Sequence, residues 1–288
     1  MLRLIAYSQH QFDDLIQSIN AKGYGLTMGL HSRIDQRIQQ LIAQAKVGNL
    51  YINRNMVGAV VGVQPFGSEG LSGTGPKAGG PLYLQRLMQS RAQPYLTYDL
   101  ADYSTASIAP PAAYLALLQW CQQYAPSMQF SLAHLALGQT LTLQGPTGEQ
   151  NLYRLVPHAR ILSITNQLDA YLQQWAAILS LGSQVVLCSD SAVAMSLFQQ
   201  LPATVQQHFI WVDQLQQADV ESVLYQGTTE ECIALQVEIA KRIGKIISVH
   251  HVSHAPIAVE RLLLERLVSI NSTAAGGNAS LMSVDLST

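Results

Sequence analysis

The residues with the types and spacing for binding chemistry are concentrated between residues 48 and 81. An apolar strand at residues 48–53 runs into the polar turn Asn53-Arg54-Asn55, and a long glycine-rich loop follows. Glycine allows a backbone to approach another group closely, because it has no side chain. The pattern indicates a loop that lies against a ligand, or a connection that packs closely for structural reasons.

The glycines of this loop do not form a dinucleotide-binding motif. Gly73-Thr74-Gly75 and Gly79-Gly80 are spaced somewhat like GxGxxG. That motif binds a pyrophosphate only where it connects a strand to a helix, and the surrounding residues predict no such elements. We therefore expect no dinucleotide at this loop.

The cysteines and histidines show no pattern of a nucleophile or of a metal site. The three cysteines have no CxxC spacing and fall on predicted helices or strands, where small buried side chains and reduced thiols are expected. These are Cys121, Cys188 and Cys232. His250, His251 and His254 follow a predicted strand, and no cysteine or carboxylate lies within a few residues of them. We therefore predict no metal ligands.

The elements around the loop alternate between strand and helix. Strands are predicted at residues 2–7, 26–30 and 48–53. The helices between them carry apolar stripes, which are Phe12, Leu15, Ile16 and Ile19 in the first and Ile34, Ile38, Leu41, Ile42 and Ala45 in the second. A parallel sheet needs cover on both faces. We therefore interpret residues 1–100 as the C-terminal part of a larger α/β domain.

A second domain is predicted at residues 112–265, after a linker at residues 101–111 that contains Pro110-Pro111. Alternating helices and strands predict a Rossmann-like, doubly wound parallel sheet. A dinucleotide site on such a sheet needs glycine in the turn after its first strand. That turn contains Thr165-Asn166-Gln167 and no glycine, so we expect no dinucleotide in this domain.

Residues 48–81 resemble the end of the catalytic domain of aldehyde dehydrogenases, in the form found in glutamate-semialdehyde (pyrroline-5-carboxylate) dehydrogenases. Residues 19–27 and 271–282 resemble the proline utilization A family. The longer members of that family carry a degenerate aldehyde-dehydrogenase-like domain and a tail after the dehydrogenase. The resemblance implies an α/β chain: a partial aldehyde dehydrogenase catalytic domain, then the Rossmann-like accessory domain, then a tail at residues 266–288 that packs on the dehydrogenase module.

The resemblance also implies a substrate site. Gly58 and Ala59 would bind the substrate carboxylate through backbone N–H groups, and Phe66 would pack on the aliphatic chain of the aldehyde. NAD is the implied oxidant of the dehydrogenase module, and FAD belongs to an upstream proline dehydrogenase module. The nucleophilic cysteine, the base glutamate and most of the NAD site would align before residue 1. We therefore expect an inactive isolated chain whose partners are the upstream portion of the same enzyme and, in the parent, identical subunits.

The composition excludes several other functions. Of the 288 residues, 48% are apolar and only 12% are charged, which favours a surface that another domain or subunit covers. The formal net charge of −2 argues against nucleic acid. No apolar run approaches the roughly 20 residues that span a bilayer, and the N-terminal apolar stretch is too short for a signal peptide. We expect a cytoplasmic chain, in a parent able to lie peripherally at the inner membrane.

Two functional hypotheses follow. In the first hypothesis, the chain is part of a proline-catabolic enzyme that oxidises glutamate semialdehyde. The alternative is a non-catalytic assembly module that covers the channel of the intermediate and mediates subunit contacts. A third, a stand-alone nucleotide-binding protein, is disfavoured by the turn at Thr165-Asn166-Gln167.

Overall fold

The computed structural model describes residues 4–57, 59–87, 109–128, 130, 140–252 and 257–273. Its strands are β1 (Tyr24–Gly25), β2 (Thr27–Leu30), β3 (Asn49–Ile52), β4 (Glu69–Gly70), β5 (Thr140–Leu143), β6 (Glu149–Pro157), β7 (Arg160–Ile164), β8 (Gln184–Cys188), β9 (Phe209–Val212), β10 (Ser222–Tyr225), β11 (Ser248–His251) and β12 (Leu263–Asn271). Its helices are α1 (Phe12–Asn20), α2 (Asp35–Gln44), α3 (Tyr83–Leu87), α4 (Ala112–Tyr124), α5 (Leu168–Ser180), α6 (Ala192–Phe198), α7 (Ala203–Gln206) and α8 (Thr229–Ala240). Among the helices in these ranges, none combines the length and the apolar character needed to cross a membrane.

The chain forms two compact units. The described residues of unit 1 lie within Met1–Thr105, Gln139–Leu155 and Glu265–Thr288, and those of unit 2 within Ala106–Gly138 and Val156–Leu264. This division differs from the boundaries drawn from the sequence, which place residues 112–265 in one domain. The difference arises because β5, most of β6 and most of β12 extend the sheet of unit 1.

Unit 1 is built on a five-stranded sheet in the order β2-β3-β12-β6-β5. Strand β3 pairs in parallel with β2 on one side and with β12 on the other, while β5 and β6 form an antiparallel hairpin. Helix α2 packs on this sheet through Ile38, Leu41 and Ile42, because residues three and four apart lie on one helix face. Strand β3, which lies between β2 and β12, is buried along its whole length, so the residue that follows it starts from a fixed position.

Most elements predicted for this unit are confirmed, including α1, α2, β2 and β3. The strand predicted at residues 2–7 is wrong where the structure describes it, since residues 4–7 form no strand. Leu4 and Ile5 are exposed there. A strand is stable only when it pairs with a neighbour, and residues 4–7 pair with none of the described strands. Strand β12 is absent from the sequence prediction.

Unit 2 contains a five-stranded parallel sheet in the order β11-β10-β7-β8-β9. The first strand of this sheet, β7, lies between β8 and β10, so the strand order reverses there, as in doubly wound folds. Helix α5 connects β7 to β8 and buries Tyr171, Leu172 and Trp175. Helix α8 starts at a capping box of Thr228 and Glu231. The predicted Rossmann-like sheet is confirmed.

Candidate functional site

A strained turn starts the candidate loop at the carboxyl end of β3. Asn53 has a φ of 56°, and among the described residues it alone has a positive φ without being glycine. Its side-chain oxygen accepts a hydrogen bond from the backbone N–H of Ser32, and its amide nitrogen donates to the carbonyl of Ser32, both at 2.9 Å. Asparagine tolerates this conformation better than most residues. Asn53 therefore fixes the loop after β3 to the loop after β2.

The structure describes two of the three residues predicted to bind the substrate. Gly58 lies outside the described residues. Ala59 is half-buried, and Phe66 exposes 37% of its surface. A single turn at residues 60–64 separates them along the chain. Their roles in binding stay predictions.

Gln64 closes the turn between these two residues. Its backbone N–H donates to the carbonyl of Val60 at 2.9 Å, and its side-chain oxygen accepts from the N–H of Val60 at 3.2 Å. Its side-chain nitrogen donates to Glu149 Oε1 at 2.5 Å. Gln64 is buried, so the turn is attached to the β5–β6 hairpin by a side chain that water does not reach freely.

Glu149 is the centre of a polar cluster beneath the start of the loop. Arg54 Nη1 lies 2.5 Å from Glu149 Oε2 and 2.7 Å from Ser269 Oγ. Asn151 Nδ2 donates to Glu149 Oε1 at 3.0 Å. The guanidinium of Arg54 also lies 5.3 Å from the centre of the Tyr51 ring. Because the ion pair is mostly buried, loss of either partner would leave a charge in a poorly solvated place.

Phe66 is held by the residues around it. Its N–H donates to the carbonyl of Ala78 at 3.0 Å, and its carbonyl accepts from the N–H of Ala78 at 2.8 Å. The buried side chain of Asn49 binds both neighbours of Phe66: Nδ2 donates to the carbonyl of Pro65 at 3.0 Å, and Oδ1 accepts from the N–H of Gly67 at 3.3 Å. The backbone is fixed here, while the ring stays partly open to solvent.

A buried lysine completes this arrangement. Lys77 exposes 2% of its surface, and its Nζ donates to Asn49 Oδ1 and to the carbonyl of Gly67, each at 2.7 Å. Burial lowers the pKa of Lys77 to about 7, because a charged amine loses its hydration in the protein interior. The nearby carboxylates of Glu265 and Glu69 act in the opposite direction and raise this pKa.

Strand β12 supplies the groups that hold the lysine segment. The backbone N–H of Lys77 donates to Glu265 Oε2 at 3.1 Å, and the hydroxyl of Tyr153 donates to Glu265 Oε1 at 2.6 Å. The next residue, Arg266, forms a bidentate pair with Glu69 in β4, with both N–O distances at 2.8 Å. The candidate loop is thus attached to strands that are nearly 200 residues away in the sequence.

The sequence interpretation missed the residues that hold the loop. They are Asn49, Lys77, Glu149, Tyr153 and Glu265. Two of them carry a visible signal, because Asn49 begins an otherwise apolar strand and Glu265, with Arg266, interrupts the apolar residues of 262–268. A buried polar residue in such a run needs a partner, and the sequence does not reveal which one.

The cysteines of the chain are not activated nucleophiles. Burial raises the pKa of Cys121 to about 11 and also raises the pKa of Cys188 and of Cys232. A reactive cysteine needs the opposite shift, because the thiolate is the form that attacks. All three thiols are therefore almost fully protonated at pH 7.

The turn at the reversal point of the sheet in unit 2 has a local side-chain hydrogen bond. The N–H of Gln167, which precedes the first residue of α5, donates to Thr165 Oγ1 at 3.2 Å. Residues 165–167 also lack the glycine that allows a pyrophosphate to approach.

The histidine cluster has local partners. His250 and His251 lie on β11, and His251 Nε2 is 2.9 Å from the carbonyl of Gly227. His254 lies outside the described residues. Within the part of the chain that the structure describes, no group of three or more histidine, cysteine, aspartate or glutamate residues is arranged to hold a metal ion.

Comparison with known proteins gives a family match for the first third of the chain. Residues 2–92 match the model of the aldehyde dehydrogenase family. The bifunctional protein PutA of Escherichia coli strain K12 is 42% identical over 311 aligned residues, which cover 99% of this chain and 22% of that protein. The chain as a whole is therefore similar to a segment of this PutA protein, and it spans about a fifth of that relative's length.

Two further comparisons agree with this assignment. The 1-pyrroline-5-carboxylate dehydrogenase 1 of Halalkalibacterium halodurans is 44% identical over 89 residues, covering 31% of this chain and 17% of that protein. The solved structure of proline utilization A from Corynebacterium freiburgense has a TM-score of 0.58 and 20% sequence identity, and covers 91% of this chain and 24% of that one. This second match shows that the aldehyde dehydrogenase fold is shared. The resemblance stated from the sequence is confirmed.

Proposed function

We propose that this chain is part of a proline-catabolic enzyme that oxidises L-glutamate γ-semialdehyde to glutamate with NAD. Within that enzyme it supplies the loop that binds the substrate carboxylate, together with the accessory unit. The relatives named PutA and 1-pyrroline-5-carboxylate dehydrogenase support this choice of substrate. The proposal concerns the parent enzyme, because the chain corresponds to only part of it.

The observation that carries the proposal is the set of hydrogen bonds that holds the described part of the loop, residues 53–57 and 59–80. A loop that presents backbone N–H groups to an anion is effective only if those groups already point in the right direction. Asn53 fixes its start, Gln64 closes its central turn, and Asn49 and Lys77 hold the backbone around Phe66. Such extensive attachment is expected for a binding loop and exceeds what a simple connection needs.

Three residues of the loop have proposed roles in substrate binding. The backbone N–H groups of Gly58 and Ala59 donate to the substrate carboxylate, and the ring of Phe66 packs on the aliphatic carbons of the aldehyde. Charge-assisted hydrogen bonds to a carboxylate are among the stronger ones in proteins. NAD is the hydride acceptor of the parent enzyme, and residues outside this chain bind the NAD. FAD belongs to the upstream proline dehydrogenase module.

The isolated chain is proposed to be inactive. Aldehyde oxidation in this family needs a cysteine thiolate, and all three thiols of this chain have raised pKa values. The upstream portion of the same enzyme is therefore the partner that supplies the nucleophile. We also propose that the parent enzyme is a homo-oligomer.

The alternative function is a non-catalytic assembly module that covers the intermediate's channel and mediates subunit contacts. Exposed apolar side chains beside the loop favour it. Val57, Val61 and Leu84 expose 83%, 93% and 74% of their surfaces. In the alternative function, another protein surface would cover these exposed apolar side chains. In the parent enzyme the two functions are compatible.

Complementation tests the proposal. The purified chain is mixed with E. coli PutA that lacks the segment matched by this chain, and NADH formation from glutamate semialdehyde is followed by absorbance. We expect activity only when the two polypeptides are mixed. We expect this activity to be lost when Ala59→Trp blocks the proposed binding loop. Ala43→Leu, a larger side chain at an exposed position of α2, is the control and should retain activity.

Two outcomes would contradict the proposal. Activity of the chain alone would show that it contains a nucleophile. An inactive mixture in which the two polypeptides associate stably would favour the assembly function.

A further inference from the structure

We propose that Lys77 is a positioning residue for substrate binding: through the carbonyl of Gly67 and the side chain of Asn49 it fixes the backbone on both sides of Phe66. This inference rests on the proposed function, because it assumes that the ring of Phe66 contacts the substrate. Lys77 itself contacts no substrate, since its side chain is buried beneath the loop.

The segment 65–67 is held at every backbone polar group. The carbonyl of Pro65 accepts from Asn49, and both polar groups of Phe66 pair with Ala78. The N–H of Gly67 donates to Asn49 Oδ1, and its carbonyl accepts from Lys77 Nζ. A loop segment with all of its backbone groups paired inside the protein has little freedom to change its path.

Lys77 also determines the orientation of the Asn49 amide. Asn49 Oδ1 receives two donors, Lys77 Nζ at 2.7 Å and the N–H of Gly67 at 3.3 Å. A reversed amide would direct its own N–H₂ group at both donors and lose both hydrogen bonds. Lys77 therefore keeps the oxygen on this side, and the nitrogen remains directed at the carbonyl of Pro65.

A purely structural role explains this lysine poorly. Removing an amine from water is costly, and an apolar side chain of similar length would fill the same volume without that cost. The glycine at position 67 also makes room for the lysine, because a Cβ there would lie 3.0 Å from Lys77 Cα and Cγ. Two positions are thus arranged so that one amine can reach two acceptors.

Steady-state kinetics of the complemented enzyme test the role of Lys77. Lys77→Met keeps the length of the side chain and removes its donors. We expect the KM for glutamate semialdehyde to rise at least about tenfold while kcat changes less than about threefold, since a displaced Phe66 weakens binding of substrate and transition state alike. A lysine that only stabilises the fold would lower the amount of active enzyme, so kcat would fall at unchanged KM. Lys46→Met, the same change at an exposed position of unit 1, should leave both constants unchanged.

Amide hydrogen exchange of the chain alone supplies a test that does not depend on activity. In Lys77→Met, peptides covering residues 60–82 should exchange at least about tenfold faster, and peptides of α2 should exchange as in the wild type. Unchanged exchange in residues 60–82, or an equal increase in α2, would overturn the inference. An inactive wild-type mixture would count against the proposed function, while the exchange result would still decide whether Lys77 fixes the backbone around Phe66.

Discussion

Replacing Lys77 with methionine should change the pH dependence of the stability of unit 1. Burial lowers the pKa of Lys77 from 10.5 to about 7; Glu265 and Glu69 oppose this shift, and Arg266 adds to it. In the unfolded chain the amine regains water and its ordinary pKa. Between these two values the unfolded chain binds more protons than the folded one, so the free energy of unfolding rises with pH.

The size of this effect follows from the two pKa values. The slope approaches about 1.4 kcal/mol per pH unit within the window. Between pH 7 and pH 9 the stability of the wild type should therefore rise by about 2 kcal/mol relative to Lys77→Met. Below pH 7 the two proteins should respond to pH in parallel, because Lys77 is then protonated in both states.

Urea unfolding at pH 7, 8 and 9 measures the difference. Trp120, Trp175 and Trp211 all lie in unit 2, so tryptophan fluorescence reports on that unit, while far-ultraviolet circular dichroism reports on both. The pH effect should appear in the circular dichroism and not in the fluorescence transition. Lys46→Met should behave as the wild type. A stability difference between the wild type and Lys77→Met that stays constant from pH 7 to pH 9 would refute the lowered pKa.

Three further predictions concern single positions. Gly48→Ala should destabilise unit 1 by about 3 kcal/mol or more in chemical denaturation, because the new Cβ would lie 1.9 Å from the carbonyl oxygen of Gly67. An effect below about 1 kcal/mol would mean that the loop moves aside easily. Asn53→Ala should cost about 2 kcal/mol in the same assay, since it loses both hydrogen bonds to Ser32 and strains a positive φ, whereas Asn53→Gly should lose only the hydrogen bonds. Cys121 should react with a thiol reagent at pH 8 at least about tenfold faster in urea than in the native chain, because burial raises its pKa to about 11. Mass spectrometry measures the two rates, and equal rates would show that the thiol is accessible in the native chain.

The alternation of strands and helices was predictable because it depends on local patterns. Helix α2 follows from apolar residues three and four positions apart, and the sheet of unit 2 follows from short apolar runs between helices. The resemblance to a family predicts the candidate loop as a binding segment, and that role stays a prediction. The attachment of the loop was not predictable, because Lys77 and Glu265 meet across 188 positions and no local pattern encodes such a pair. The same reason hides β12, whose neighbour β3 lies more than 200 residues earlier.

The position of β12 between β3 and β6 has a consequence for synthesis on the ribosome. The two segments of unit 2, with residues 139–155 of unit 1 between them, precede the strand that completes the sheet of unit 1. At typical rates of about 5–20 residues per second, roughly 10–40 s pass between the emergence of β3 and that of β12. During this interval one edge of β3 is unpaired, and Lys77 lacks the carboxylate that holds its backbone N–H. The nascent chain should therefore present an open strand edge that a chaperone can cover, and the backbone N–H of Lys77 should gain its hydrogen bond to β12 only when Glu265 arrives.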